Sequence, residues 1–540
     1  AGDIAELIAT PLPGFEFTAW QGICAGEGSA RCSRTLAVGS SAVAASFTAV
    51  GGGAVAGEFI NFESGQVRPV ALSPDGSRLV VTNTPAASLE IFSLAEGVPQ
   101  WEASVPVGLE PVAVALPNDA EAWVVNHLSD SVSVVDLAAD IPAVTRTLWV
   151  GDEPRDIVFA GPGSNRAFIS AARRGQNTAY PLQEYRTPGL PRADVWVFDR
   201  STAQVRDHNR PLTVVNLFGD VPRALAASPD GSKVYAGIFH SGNRTTTLSS
   251  TEALATAKPA PLVNHAGEVQ PATGLIVRFD QGRWVDESAT DWSDLVRLSL
   301  PDYDLFTLDA KRAVPRQVGR LRGVGTTLFN MAVNPASGAI YVTNTDARNV
   351  VRFEGPGTSA SSVRGDIARN RISVVADGLV NPVELNPHVD FSVAQGEAIP
   401  LAEKARSLAQ PTAIAVSPDG STVFVAAFGS NKVAAIPAGQ LQRDEYVPDR
   451  DTQVEIPGGG PSGLVLSNDG ERLYVLARYR IVIVVVETQG MSVLHTVSLF
   501  NPEADSVRRG RRFLYDADAT SGNGTASCGS CHVFGDTDHL

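Results

Sequence analysis

The sequence is poor in sulfur-containing and charged residues. Its 540 residues include 4 Cys and 2 Met, and only 19% are Asp, Glu, Lys or Arg. No apolar run reaches about 18 residues, so the sequence predicts no membrane-spanning helix. The patterns G-x-S-x-G and H-E-x-x-H and the P-loop are missing as well. Their absence removes the usual sequence signs of a serine hydrolase, a zinc protease or an NTPase.

Positive charge is also in short supply. Asp and Glu number 58 against 43 Lys and Arg, which gives a formal net charge of −15. A protein that neutralises nucleic-acid phosphates needs the opposite balance, so we expect no nucleic-acid partner. Hydrophobic residues make up 44% of the chain, which is enough for a large core and argues against disorder.

Two features predict an exported protein. The chain begins at Ala1 with neither an initiator Met nor a basic, apolar leader, as expected after removal of a signal peptide. Cys24 and Cys32 enclose a short loop of Gly, Ala and Ser, and a disulfide between them fits an oxidising compartment. Two free thiols are the alternative for this pair. We expect a periplasmic, extracellular or cell-surface location.

The stretch 70–94 (VALSPDGSRLVVTNTPAASLEIFSL) is a repeating unit. Apolar residues alternate with small or polar ones along three segments, as in half-buried strands. Pro-Asp-Gly at 74–76 suits a tight hairpin, since Pro fixes φ and Gly accepts a positive φ. The Asp and Asn residues of such turns are therefore predicted to be structural. Related copies begin at Pro111, Asp156, Ala224, Met331, Ala413 and Gly463.

The period of this repeat predicts the fold. The matching turns of the first three copies lie about 45 residues apart, the length of a β-propeller blade. Later steps are longer and contain further strand-like segments at 295–310 and 371–378. The sequence therefore predicts an all-β fold, a β-propeller of seven blades, and leaves eight open.

The most specific motif is Cys528-Gly-Ser-Cys531-His532, a C-x-x-C-H sequence. Two thiols at this spacing can add across the two vinyl groups of a haem, and the adjacent imidazole can then bind the iron as proximal ligand. The motif thus predicts covalent haem c on Cys528 and Cys531, with His532 on the iron. A redox C-x-x-C and a zinc half-site are the alternatives, but no second pair of zinc ligands accompanies the motif.

The sequence assigns no sixth ligand to the iron. Met331 and Met491 are the two thioethers, and both occur in strand-like segments where core packing is expected. His539 follows His532 too closely to reach around the ring. Because only eight residues follow His532, we expect the chain to be the front part of a longer protein.

Three further histidines are candidates for a propeller face. His127, His240 and His388 each occur in a loop that follows a strand-like segment, where a hydrogen-bonding structural role is the alternative. Long polar inserts at 173–192 and 240–272 are expected on a rim or face, where sites are usually built.

The repeats resemble the YVTN-type β-propeller repeats of secreted bacterial and archaeal proteins, with YVTN itself at 341–344 and VVTN at 80–83. Together with 511–540, they resemble a larger family in which such a propeller precedes a cytochrome c region of the dihaem peroxidase-like kind. The strand pattern divides the chain into an N-terminal extension with the expected disulfide (1–37), the propeller (38–500) and a region beyond it (501–540). The resemblance implies that this last region is the start of an α-helical cytochrome c region.

The resemblance also implies haem c and electron transfer with a redox partner protein or a further cytochrome domain. Peroxidase chemistry and a second haem do not carry over, because the rest of that region is missing. An enzymatic role, if present, would be that of an oxidoreductase, peroxidase-like or a dehydrogenase with an organic cofactor. The alternative is an extracellular binding or scaffold propeller to which the haem region is an appendage.

Overall fold

The protein is described by a computed structural model. It covers residues 4–8, 15–22, 24–26, 28–35, 43–49, 63–173, 191–201, 209–249, 269, 275–286, 288–296, 303–348, 366, 368–391 and 399–536. The described residues are mostly β, and they include seven four-stranded antiparallel sheets. None of the described helices is long and apolar enough to cross a membrane.

The seven sheets follow one another along the chain. Sheet 1 contains β5 (Val70–Leu72), β6 (Arg78–Asn83), β7 (Ser88–Ala95) and β8 (Val98–Pro106). Sheet 2 contains β9 (Pro111–Asn118), β10 (Glu121–Asn126), β11 (Ser131–Asp136) and β12 (Ala143–Trp149). Sheet 3 contains β13 (Asp152–Ala160), β14 (Arg166–Ala172), β15 (Ala193–Asp199) and β16 (Thr213–Leu217). Sheet 4 contains β17 (Pro222–Ala227), β18 (Lys233–Ile238), β22 (Leu305–Asp309) and β23 (Arg316–Leu321).

The remaining three sheets have the same up-and-down order. Sheet 5 contains β24 (Thr327–Val333), β25 (Ile340–Ala347), β26 (Ala368–Ala376) and β27 (Leu379–Glu384). Sheet 6 contains β28 (Pro411–Val416), β29 (Thr422–Ala427), β30 (Lys432–Pro437) and β31 (Gln453–Glu455). Sheet 7 contains β32 (Pro461–Leu466), β33 (Arg472–Ala477), β34 (Val482–Glu487) and β35 (Ser492–Ser498). The strand-like segments at 295–310 and 371–378 thus include β22 and part of β26, the third strands of sheets 4 and 5.

The sheets are arranged in a closed ring. The first strand of each sheet contacts the first strands of the preceding and following sheets, and β32 contacts β5 to complete the circuit. An apolar layer fills each of the seven spaces between neighbouring sheets. Each sheet therefore buries both faces, which explains why its inner strands are almost continuously apolar. This is a β-propeller arrangement.

The Ser-Pro-Asp-Gly turns join the first and second strands at one end of the ring. In sheet 1, Asp75 accepts hydrogen bonds from the hydroxyls of Ser73 and Ser77 and from the backbone N–H of Ser77. These bonds lower the pKa of Asp75 to about 2. Gly76 takes φ +73°, which its lack of a Cβ permits. The turn residues are structural, as predicted.

Smaller sheets accompany the ring. An insertion between β18 and β22 forms a three-stranded sheet of β19 (Thr245–Leu248), β20 (Leu275–Asp280) and β21 (Arg283–Val285). Near the N-terminus, β1 (Ile4–Ile8) pairs with β3 (Arg31–Thr35), and β2 (Phe15–Gly22) pairs with β4 (Val43–Ala49). The expected disulfide joins Cys24 and Cys32, and both residues are buried against Trp20.

Four α-helices are described. They are α1 (Leu401–Lys404), α2 (Ala438–Gln442), α3 (Asp505–Tyr515) and α4 (Ala517–Thr520). Short 3-10 turns occur at Thr84–Ala86, Pro162–Ser164, Ser293–Leu295, Phe428–Ser430, Arg450–Thr452, Cys528–Ser530 and Val533–Gly535. The last two helices and the last two turns follow sheet 7 and cover the end of the ring opposite the Ser-Pro-Asp-Gly turns. We call residues 501–536 the C-terminal lid.

Candidate functional site

The C-x-x-C-H motif forms a single helical turn. The backbone N–H groups of Cys531 and His532 both donate to the carbonyl of Cys528, at 3.4 and 3.0 Å. Residues three and four positions apart lie on the same side of such a turn, so the two thiols and the imidazole share one side. That side faces outward, because Cys528 and His532 are exposed and Cys531 is half-buried. Neither Cys528 nor Cys531 is part of a disulfide.

The opposite side of the turn is fixed to the propeller. The side-chain amide of Gln410, at the end of the loop before β28, donates to the carbonyl of Gly529. A Cβ at Gly529 would lie 2.4 Å from Cδ1 of Tyr515, so the close contact requires glycine. Ser530 is buried, and its hydroxyl accepts from the backbone N–H of Ser527 at 3.0 Å. These contacts fix the turn on the side that faces the propeller.

The hydrogen bonding of His532 fits a metal-ligand role. Its Nδ1 lies 3.1 Å from the backbone carbonyl of Asp536. A carbonyl only accepts, so Nδ1 carries the proton and a neutral ring keeps its lone pair on Nε2. This is the arrangement that orients most metal-bound histidines. With the thiol groups of Cys528 and Cys531 beside it, the residue set fits a covalently attached haem.

Phe534, two residues after the motif, forms an aromatic plug. We use the name axial mouth for Gly65, Arg223, Phe239, Phe329 and Phe428, which lie near the ring axis at the lid end. The ring of Phe534 enters this mouth, stacks on Phe239 at 6.0 Å between centroids, and meets Phe329 and Phe428 edge-on. A Cβ at Gly65 would lie 2.3 Å from the Phe534 ring. The plug thus fixes the motif over the axis of the propeller.

A buried arginine supports this plug. Arg223 is fully buried, and its guanidinium donates to the carbonyls of Phe329, Gly65 and Gln66 at 3.0, 3.2 and 2.7 Å. The same group lies 4.7 Å from the centroid of the Phe534 ring and 5.0 Å from that of Phe239. Cation–π contacts of this kind are strongest where water is excluded. Arg223, which lies in β17, therefore connects the lid to β17, to β24 and to the segment before β5.

Buried charges form a second connection between lid and ring. Arg511 of α3 pairs with Glu63 and Glu503, and Arg478 pairs with Glu503 through two bonds of 3.1 and 3.0 Å. Burial by itself raises the pKa of Glu503, but the two arginines outweigh it and lower that pKa to about 2. Glu110 is also buried nearby. Burial raises its pKa to about 7, although Arg478 acts in the opposite direction.

The three candidate histidines lie at the lid end but are separate from one another. His127 is buried, and its Nδ1 donates to the carbonyl of Pro154 at 3.2 Å. Burial, with Arg155 and Arg223, lowers the pKa of His127 to about 3, so it stays neutral. His240 is half-buried, with its ring 4.5 Å from that of Phe239.

His388 is held away from the mouth. Its Nε2 lies 3.0 Å from the carbonyl of Glu403 and 3.3 Å from the Ser407 hydroxyl, and that hydroxyl donates to the carbonyl of Asn523 in the lid. Burial lowers the pKa of His388, and the nearby Arg406 adds to this effect. The imidazole thus serves the joint between lid and ring.

The two methionines are core residues. Met331 packs between sheets 4 and 5, and Met491 packs between sheets 6 and 7. Most of the inserts at 173–192 and 240–272, and His539, lie outside the described residues. Among the residues that are described, no group of three His, Cys, Asp or Glu side chains is arranged to hold a metal ion.

Sequence reasoning did not find the residues that seat the motif. Gln410, Arg223 and Phe534 are each distant in sequence from what they contact, and their types are common in any core or surface. Only Phe534, two residues after the motif and between Val and Gly, carried a local signal.

The chain has no match among protein-family models and none among curated proteins. Among solved structures it is similar to hydrazine synthase of Kuenenia stuttgartiensis, with 17% identity, a TM-score of 0.50, and coverage of 81% of this chain and 100% of that one. It also matches AztD of Citrobacter koseri, with 10% identity, a TM-score of 0.40, and coverage of 80% and 86%. The likeness to hydrazine synthase concerns the fold alone and is consistent with a β-propeller.

Proposed function

We propose that the protein is an exported β-propeller redox protein that carries haem c on the C-terminal lid and exchanges electrons with a partner protein. In this proposal the ring is a seven-bladed propeller and 501–540 is the beginning of a cytochrome c region. One observation carries it. The helical turn presents Cys528, Cys531 and His532 on one outward side, with Nδ1 of His532 already bonded to a carbonyl.

The roles of the three residues follow from their chemistry. Each cysteine sulfur would bond to one vinyl carbon of the haem, and the thiol hydrogen would go to the other carbon of that vinyl group. His532 would offer Nε2 to the iron, while Asp536 holds the ring through its carbonyl. Bound haem supplies a one-electron Fe(III)/Fe(II) couple. The disulfide of Cys24 and Cys32 supports export, because such bonds persist in oxidising compartments.

The propeller gives the motif a fixed position. Gln410, Tyr515 and Ser530 hold the turn from below, and Phe534 anchors it in the axial mouth. A rigid attachment favours electron transfer, since the outward side stays available to a partner without rearrangement. The proposed partner is a redox protein or a further cytochrome domain.

The test is to express the chain in a host that attaches haem c and to measure intact mass and the dithionite-reduced visible spectrum. We expect added mass equal to one haem and a sharp α band. Cys528→Ala combined with Cys531→Ala should remove the added mass, and His532→Ala should alter the spectrum while keeping the mass. His495→Ala, an exposed histidine on β35, is the control and should change neither. A wild-type chain without haem would overturn the proposal.

A scaffold role is the second candidate. The insertion in sheet 4 builds a three-stranded sheet with its own apolar core of Leu248, Leu275, Val277 and Trp292. In this second proposal the appended sheet recognises a partner. If the chain takes no haem yet binds partners through 240–296, this role replaces the first.

A further inference from the structure

A cavity lies where the lid meets sheet 7, at a distance in sequence from the haem motif. Its volume is about 370 Å³, and it opens to solvent between β35, the turn after β33 and the start of α3. The polar side chains that line it are those of Arg480, Thr496, Ser498, Asn501 and Arg508. None of the described residues that line it is an Asp or a Glu. The cavity thus presents hydrogen-bond donors and positive charge in a protein of net charge −15.

Two buried donors at this cavity have no hydrogen-bond partner among the described residues. They are Nδ2 of Asn501 and Nε of Arg508. The oxygen of the Asn501 amide already accepts from the backbone N–H of Glu503 at 2.9 Å, which fixes the orientation of the amide. A buried donor left without a partner costs on the order of 1–3 kcal/mol, so such groups normally face a water or a ligand.

The charges around the cavity favour a ligand over a water. Arg508 pairs through its other nitrogen with Asp505, so that ion pair contributes little net charge. Arg480 is exposed and forms no ion pair within the described part of the chain. One uncompensated guanidinium and two unpartnered N–H groups around one cavity are suited to an anion with several acceptor oxygens.

We propose that this cavity binds an oxyanion, a phosphate or carboxylate group, held by Arg480, Asn501 and Arg508. The hydroxyls of Thr496 and Ser498 line the same wall and can donate to further oxygens. The proposal does not depend on haem. It predicts instead that an anion stabilises the joint between the lid and sheet 7, since Asn501 and Arg508 belong to the lid and Arg480 to the ring.

The experiment is isothermal titration calorimetry of the full chain with sodium phosphate, in a chloride buffer, repeated with sodium acetate and with trisodium citrate. We expect saturable binding of phosphate or of a carboxylate, and the three titrations identify which. Arg480→Gln and Arg508→Gln should each weaken it about tenfold, the effect of losing one charge-assisted hydrogen bond. Arg509→Gln is the matched control, because Arg509 is exposed on the same helix and does not line the cavity.

Folding and haem content are controlled separately. Circular dichroism establishes that each variant is folded, and phosphorus NMR line broadening gives a second measure of phosphate binding. The titrations are repeated on the variant with Cys528→Ala and Cys531→Ala, so a failure of haem attachment does not affect the result. Binding that is equal in Arg480→Gln, Arg508→Gln and Arg509→Gln, or no binding of any of the three anions, would overturn the proposal in favour of a water-filled cavity.

Discussion

At the scale of single residues, buried ion pairs connect the lid to the ring. Arg511 is 3% exposed and donates to Glu503 and Glu63, and the latter lies 448 residues earlier in the chain. Removing one member of a buried ion pair leaves the other without compensation, which is the costly case. These residues therefore carry the first prediction.

We expect Arg511→Met to lower the free energy of unfolding by about 3 kcal/mol. The loss falls at the lower end for a buried pair because Arg478 still pairs with Glu503. Urea denaturation followed by circular dichroism measures it. Arg509→Met, on the exposed side of the same helix, is the control and should change stability by less than about 0.5 kcal/mol. Equal effects of the two substitutions would mean that the pairs are not coupled to folding.

Glu110 predicts a specific pH dependence. Burial raises its pKa from an ordinary 4.5 to about 7, so the folded state holds a proton that the unfolded state has released between those values. The stability that this protonated carboxyl contributes is therefore fully present below about pH 4.5 and is lost as the pH rises through 7. The contribution is on the order of 3 kcal/mol.

The test compares Glu110→Gln with the wild type at pH 5 and pH 8. The glutamine cannot ionise, so the variant should lose less stability over this interval than the wild type does. Glu471→Gln, at an exposed turn, should behave like the wild type. Parallel pH profiles for wild type and Glu110→Gln would contradict the assignment of this carboxyl.

At the scale of elements, the 3-10 turn Val533–Gly535 acts as an anchor. Phe534 adopts φ +55°, an uncommon conformation for a non-glycine residue, while its ring packs on Phe239, Phe329 and Phe428. The ring packing outweighs the cost of the backbone conformation.

We expect Phe534→Ala to weaken docking of the motif by about 3 kcal/mol, the lower end of the range for Phe truncations, because the Phe534 ring is half-buried. Hydrogen exchange measured by mass spectrometry should then show faster exchange of the amides of Cys531, His532 and Gly535, whose N–H groups donate within these turns. Phe513→Ala is the control, because Phe513 is 74% exposed on α3. If protection at these amides survives the loss of the Phe534 ring, the plug is not the anchor.

The elements of the ring could be predicted because their signals are local. Each of the seven copies supplies the opening strands of a different sheet, since alternation and Ser-Pro-Asp-Gly turns act within about 20 residues. The partners of the lid could not be predicted in this way. The bond from Gln410 to Gly529 spans 119 residues, and nothing near Gln410 marks it as different from any other glutamine.

At the scale of the whole molecule, the contacts that close the ring are different from those that attach the lid. Sheet 1 and sheet 7 close the ring through side-chain packing, with Phe92 and Val81 on one side and Tyr474 and Ile483 on the other. Each of these sheets is built from one continuous stretch of chain. The sequence predicted 501–540 as a region beyond the propeller, but its contacts with several sheets could not be inferred, because they join loops that are far apart in the chain.

Because the ring closes through contacts that do not involve the lid, the effect of removing the lid can be predicted. A chain ending at Phe500 keeps every strand of the ring and the closing interface, so it should retain an all-β circular dichroism spectrum and unfold cooperatively. It loses the partners of Arg478 and uncovers Phe239, Phe329 and Phe428, so its melting temperature should fall by roughly 5 °C or more.

The uncovered axial mouth gives a second measurement. An apolar patch of this kind binds hydrophobic dyes, so 1-anilinonaphthalene-8-sulfonate should fluoresce with the shortened chain and not with the full one. Phe534→Ala in the full chain is the matched comparison, since it empties only the mouth. A shortened chain that lacks a cooperative transition would show that the lid is part of the folding unit of the ring, because the ring would then need the contacts from Glu63 to Arg511 and from Gln410 to Gly529 in order to close.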